Sequence, residues 1–137
     1  MSSASEVLAK VPIFSMQPRK EIDKLARAAH ERTFAAGTVM SEEEDFGSIF
    51  TVIVDGEASV SVRGRQARTL KAGDFFGEMS IIDRSPRSAT VKAETDCTCL
   101  MLTQPVFRPF AVSHPDTMWA LLELMVKRVR ESEARQS

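Results

Sequence analysis

The chain has 137 residues, 43% of them hydrophobic and 27% charged, with a net charge of −1 at pH 7. That is one domain's length, with enough apolar material to build a core without staples, and it excludes a disordered chain. No basic stripe tracks a phosphate backbone, which argues against nucleic-acid binding by this chain alone, and no apolar run approaches the ~18 residues of a membrane span.

The start, "MSSASEVLAKVPIF", lacks a basic segment followed by an apolar stretch and a cleavage site, so secretion is not indicated. Next, "PRKEIDKLARAAHER" opens with Pro18, favoured in a first helical turn, and sets Ile22, Leu25, Ala26 and Ala29 on one face. Residues 1–31 are therefore read as N-terminal helices, with His30 in helical context.

From Arg32 the pattern changes to short segments rich in β-branched residues: "RTFAAGTVM", "SIFTVIVDGEASVSV", "ARTLKAGDFF" and "SATVKAETDCTCLML". Turns at Gly37, Asp55-Gly56 and Arg63-Gly64-Arg65 separate them, which predicts an antiparallel, jelly-roll-like β-roll over residues 32–103. Cys97 and Cys99 fall on one face of the last strand, too close in sequence for a good disulfide. They read as small core residues in a reducing cytoplasm, and without convergent histidines they make no zinc site.

After Pro105, "QPVFRPFAVSH" contains Pro109 and reads as a brief, interrupted helix, with Phe107 and Phe110 packing on the roll. A longer helix begins at Pro115, where Met118, Leu121, Leu122, Met125 and Val129 recur at three- and four-residue steps. That stripe would lie against the roll or against a partner, either a second copy or an effector. Residues 105–134 thus form a C-terminal helical pair, and the fold class is α+β: a β-roll bracketed by helices in a single domain.

Chemistry concentrates in "GDFFGEMSIIDRSPRSATV", residues 73–91. Gly73 and Gly77 allow conformations closed to other residues, and "EMSII" can form one helical turn whose first N–H groups attract an anion. Arg87 supplies a planar charged fork suited to phosphate oxygens, and Ser88 adds a hydroxyl. Glu78 would repel a phosphate but accepts hydrogen bonds from a ribose hydroxyl. A sugar at one end and a phosphate at the other describe a nucleotide, and the tight loop favours a compact, cyclised one. The bland alternative is a structural salt bridge between Glu78 and Arg87. Arg84 reads as an exposed loop charge.

The stretch "FGEMSIIDRSPRSATV" resembles the phosphate-binding cassette of the cyclic-nucleotide-binding domains, and the likeness extends to "AAGTVM", "IVDGEASVSV" and the closing helices. That resemblance implies a ligand set of Phe76, Gly77, Glu78, Met79, Ser80, Arg87, Ser88 and Ala89. Glu78 would hold the ribose 2′-hydroxyl, Arg87 the cyclic phosphate, and Ser88 the phosphate or the base edge. It implies that the last helix closes as a lid, with Trp119 or Arg128 as candidates to cap the base. Serine rather than threonine at position 88 favours cyclic AMP over cyclic GMP. One departure stands out: where the family usually has a glycine after the second strand, this chain reads "SEEEDFG", and the acids Glu42 to Asp45 crowd the loop.

The expected function is a non-catalytic, cytoplasmic regulatory sensor of cyclic AMP or cyclic GMP that signals by moving its C-terminal helix, with no cofactor or metal. The alternative is a ligand-free module that docks a partner or a second copy through Met118–Val129. No nucleophile–base pair and no metal cluster supports catalysis.

Overall fold

The structure, a computed structural model, describes residues 3–136. Helix α1 (Ala4–Ala9) begins with a Ser3 cap: its hydroxyl accepts from the Glu6 N–H at 3.2 Å and donates to the Glu6 carboxylate at 3.2 Å. Helix α2 (Arg19–Ala28) follows Pro18 and buries Ile22 and Leu25, as the apolar spacing requires. It stops at Ala28 because Ala29 is extended, with ψ at 149°. His30 therefore opens the first strand rather than lying in a helix; pairing with the last strand overrides the helical continuation.

Strands β1 (His30–Phe34), β2 (Val39–Ser41), β3 (Ile49–Asp55), β4 (Ala58–Val62), β5 (Arg65–Leu70), β6 (Phe75–Phe76), β7 (Thr90–Ala93) and β8 (Cys97–Thr103) form two antiparallel sheets. Their orders are β1-β8-β3-β6 and β2-β7-β4-β5. The alternation of β8 shows how the layers arise. Cys97 and Cys99 point between the sheets, towards Phe34, Ile53, Val60 and Val91, while Leu100 and Leu102 point to the helical layer. Both faces of the first sheet are thus covered, which is why β3 and β8 read as nearly continuous apolar runs. Both thiols are buried and free, and burial pushes the Cys99 thiol up to about 12.

Helix α3 (Glu78–Asp83) interrupts the roll between β6 and β7. Helix α4 (Gln104–Ser113) is continuous through Pro109 rather than interrupted there. Proline inside a helix forfeits one hydrogen bond at a cost of about 3 kcal/mol; burial of Phe107 and Ala111 on either side of it opposes that cost. Phe107 stacks on Phe50 at 5.4 Å, and Phe50 stacks on Phe75 at 5.1 Å. Phe14 meets Phe50, Phe107 and Phe110 edge-on, tying the N-terminal segment to α4.

Helix α5 (Pro115–Gln136) has 22 residues and runs about 33 Å at about 1.5 Å per residue. Thr117 and Leu121 are buried, whereas Met118, Trp119, Leu122, Val126 and Val129 face outward. The stripe is therefore divided between an inner edge on the domain and an outer apolar edge that includes Val126. No helix among the described residues is long and apolar enough to cross a membrane.

Candidate functional site

Gly77 sets the site's geometry. It caps α3 in the left-handed region at φ 89°, and a Cβ there would overlap the Ile49 carbonyl of β3. Only glycine fits both constraints. The turn delivers Glu78 inward as the first residue of α3, and the whole residue is only 4% exposed.

Glu78 does not pair with Arg87. Its Oε1 forms an ion pair with Nη1 of Arg128, reaching in from α5, and its Oε2 is buried with no hydrogen-bond partner. Burial lowers the Arg128 pKa, and the positive charge of Arg68 lowers it further, against the opposing pull of Glu131. The Arg128 guanidinium also lies 6.0 Å from the Phe75 ring centroid.

Arg87 is fixed by its backbone. Its N–H donates to the Asp45 carbonyl at 2.9 Å, and its own carbonyl accepts from the Glu44 N–H at 2.9 Å. The acidic loop is thus a backbone partner of the cassette tip, and the Glu42, Glu44 and Asp45 side chains are exposed. Gly47, which closes the acidic loop, packs against Arg87: a Cβ at that position would overlap the Arg87 guanidinium. Among the described residues, Arg87 has no ion-pair partner, so its fork remains available.

All eight residues of the cassette set, Phe76, Gly77, Glu78, Met79, Ser80, Arg87, Ser88 and Ala89, line one cavity. Ser41, Val60, Arg68 and Val91 complete the wall. Ser88 lies near the mouth, its Oγ 3.8 Å from the Met79 sulfur. Arg128 does not line this cavity but reaches it through Glu78, whereas Trp119 is 65% exposed on the outer edge of α5 and takes no part.

Arg68 was missed because its placement depends on cross-strand register. It pairs with Val60 of β4, and the period of two from inward Leu70 puts it on the same face. Arg84 is exposed, as read, and its guanidinium in addition donates to the Gln104 side chain. His30 and His114 do not converge. His114 Nε2 instead lies 2.9 Å from Glu21, and that hydrogen bond, with a further one from Lys24, holds the Glu21 carboxyl below its ordinary value. Among the described residues no group of three or more histidines, cysteines or carboxylates could hold a metal ion.

Residues 31–114 match the family model described as the cyclic nucleotide-binding domain. The chain is 35% identical over 102 residues to a cAMP-dependent protein kinase regulatory subunit of Schizosaccharomyces pombe, covering 74% of this chain and 25% of that protein. It is 33% identical over 97 residues to a cGMP-dependent protein kinase of Toxoplasma gondii, covering 71% of this chain and 10% of the kinase. A cyclic nucleotide-gated potassium channel of Rhizobium etli is 31% identical over 123 residues, 90% of this chain and 34% of the channel. The chain therefore spans between 10% and 34% of the length of these relatives.

Among solved structures, the Thermus thermophilus catabolite activator protein superposes with a TM-score of 0.84 at 25% identity, covering 91% of this chain and 61% of that one. A kinase regulatory-subunit domain described as bound to Sp-2Cl-cAMPS gives 0.79 at 26% identity, over 94% of this chain and 88% of that one. The chain belongs to the cyclic-nucleotide-binding domain family.

Proposed function

We propose that the domain is a non-catalytic regulatory sensor that binds a cyclic nucleotide, cyclic AMP in preference to cyclic GMP, and signals through its C-terminal helix. One observation carries this reading: a buried carboxylate oxygen, Glu78 Oε2, stands without a donor in the same cavity as an unpaired guanidinium, Arg87. Buried polar atoms in folded proteins are nearly always hydrogen-bonded. A ribose 2′-hydroxyl supplies the missing donor, and the cyclic phosphate supplies the counter-charge for Arg87.

In this reading, Arg128 keeps Oε1 while the sugar takes Oε2, so one carboxylate joins the ligand to the lid helix. The Arg128 guanidinium would then sit beside the base as its cap. Ligand binding shifts α5 only to the extent that it favours one position of that helix, and coupling of ~1–3 kcal/mol is typical. Ser88 supports adenine over guanine. The relatives include kinases named for each nucleotide, and competitive titration with both decides between them.

The outer edge of α5 favours an additional role. Trp119, Leu122, Val126 and Val129 recur at 3-4-3 steps, each at least half exposed. That pattern fits an output surface for an effector or a second copy, and it is also the surface a ligand-free docking module would use. Buried free thiols at Cys97 and Cys99 support a reducing compartment, the cytoplasm. Thermal unfolding with and without nucleotide tests the sensor reading: a ligand bound only by the folded state raises the melting temperature, and no shift with either nucleotide rejects it.

A further inference from the structure

We infer that Gln104, bridged to Arg84, is the positioning residue that passes the state of the cassette to α4 and α5. The inference rests on the sensor reading above and names the route by which that site would signal. Gln104 opens α4 directly after β8 and is only 6% exposed. A buried primary amide needs partners on both its oxygen and its nitrogen. Here both come from the end of the cassette helix: Oε1 accepts from Arg84 Nη2, and Nε2 donates to the Ile81 carbonyl at 3.5 Å.

Arg84 is held in an unusual way. It caps α3 at φ 58°, a left-handed conformation unfavourable for any residue with a Cβ, while its N–H donates to the Ser80 carbonyl at 2.9 Å. The next turn is pinned by Asp83, which accepts from the Ser85 N–H at 2.9 Å. A helix of six residues thus carries the ligand-facing acid, Glu78, at its start and the amide clamp at its end.

Apolar packing between the same elements is incomplete. Ile81, Ile82, Phe107, Leu121 and Met125 border an open cleft of about 330 Å³, and Ile82 is half exposed there. Apolar surfaces slide past one another with little change in energy. Hydrogen bonds are directional and fail beyond about 3.5 Å. The Ile81 contact is already at that limit, so a small shift of α3 relative to α4 makes or breaks that half of the clamp, while Arg84 keeps hold of the Gln104 oxygen. The cleft leaves room for that shift.

The test uses the whole chain, cyclic AMP and cyclic GMP as probes, and Trp119, the chain's single tryptophan, as reporter on α5. Calorimetry on the wild type comes first; no heat with either nucleotide removes the sensor reading and this inference together. With binding established, nucleotide is expected to change Trp119 emission and amide exchange along α5. Gln104→Leu and Arg84→Ala are expected to bind within about tenfold of wild type, inside the usual range of coupling factors, yet to lose both responses. Arg84→Lys, which keeps a cationic donor for the Gln104 oxygen and leaves the Ile81 contact untouched, is expected to retain them. Should Gln104→Leu fail to fold, Arg84→Ala carries the test alone, since Arg84 is exposed. Bound nucleotide with both responses intact in these variants overturns the inference while leaving the sensor reading standing; bound nucleotide with both responses silent in the wild type overturns the inference and the helix-signalling half of that reading, leaving nucleotide binding alone.

Discussion

Replacing Arg87 by alanine separates a ligand-binding role from a structural one. The Arg87 guanidinium has no ion-pair partner among the described residues, so its removal strands no protein charge. The two backbone hydrogen bonds to Asp45 and Glu44 do not involve the side chain and persist in the variant. Folding stability should therefore change by no more than about 0.5 kcal/mol, as at an ordinary surface position. The ligand, in contrast, loses the cassette's own lining cation; Arg68 remains on the wall, but a phosphate stripped of its paired guanidinium in a partly enclosed site still loses about 3–5 kcal/mol. At 1.4 kcal/mol per decade, that is a loss of roughly a hundredfold to several thousandfold in affinity. Arg87→Lys should fall between, because it keeps the charge and loses the planar fork. Calorimetric titration of cyclic AMP into both variants, with melting temperatures measured alongside, checks each half. A folded Arg87→Ala domain with near-wild-type affinity would falsify the phosphate role.

Arg128→Gln removes the partner of Glu78 Oε1 and should cost about 1–3 kcal/mol in urea unfolding, as expected when a buried acceptor loses its donor. It should also speed amide exchange in the second half of α5; unchanged exchange there would show that the ion pair does not hold the helix. Gly47→Val places a side chain against the Arg87 guanidinium and should lower cyclic AMP affinity at least about tenfold, the usual result of disturbing a positioned charge contact. Equal affinity would mean that the loop yields freely. Burial raises Cys97 and Cys99, the latter to about 12. An unfolded thiol loses its proton near pH ~8.5, so between that value and about 12 the folded state holds more protons and stability falls as pH rises. Urea midpoints at rising alkaline pH should decline, less steeply in Cys99→Ala, and a flat profile would contradict the burial argument.

The cassette was legible because its cavity-lining residues, Phe76 to Ser80 and Arg87 to Ala89, lie in one short segment whose glycines and charges declare the local geometry. The roll was legible through alternation in β4 and turns at Gly56 and Gly64. What escaped depends on contacts distant in sequence. Arg68 enters the cavity only through the pairing of β4 with β5, and Gly47 meets Arg87 only because the two loops exchange backbone hydrogen bonds. A Glu78–Arg87 salt bridge was the alternative that charge left open; the path of α5 gives Glu78 to Arg128 instead. His30 and Pro109 show tertiary context overriding local preference, the first through pairing with β8 and the second through burial of Phe107 and Ala111.

Calorimetry comparing cyclic AMP with its 2′-deoxy analogue reads most directly whether Glu78 grips a ribose. Hydrogen bonds to charged groups are worth about 1.5–3 kcal/mol, so the analogue should bind roughly ten- to a hundredfold more weakly while cyclic AMP binds one to one. Equal affinity for the two compounds, or no heat from cyclic AMP at all, would contradict the assignment of that buried oxygen to the sugar.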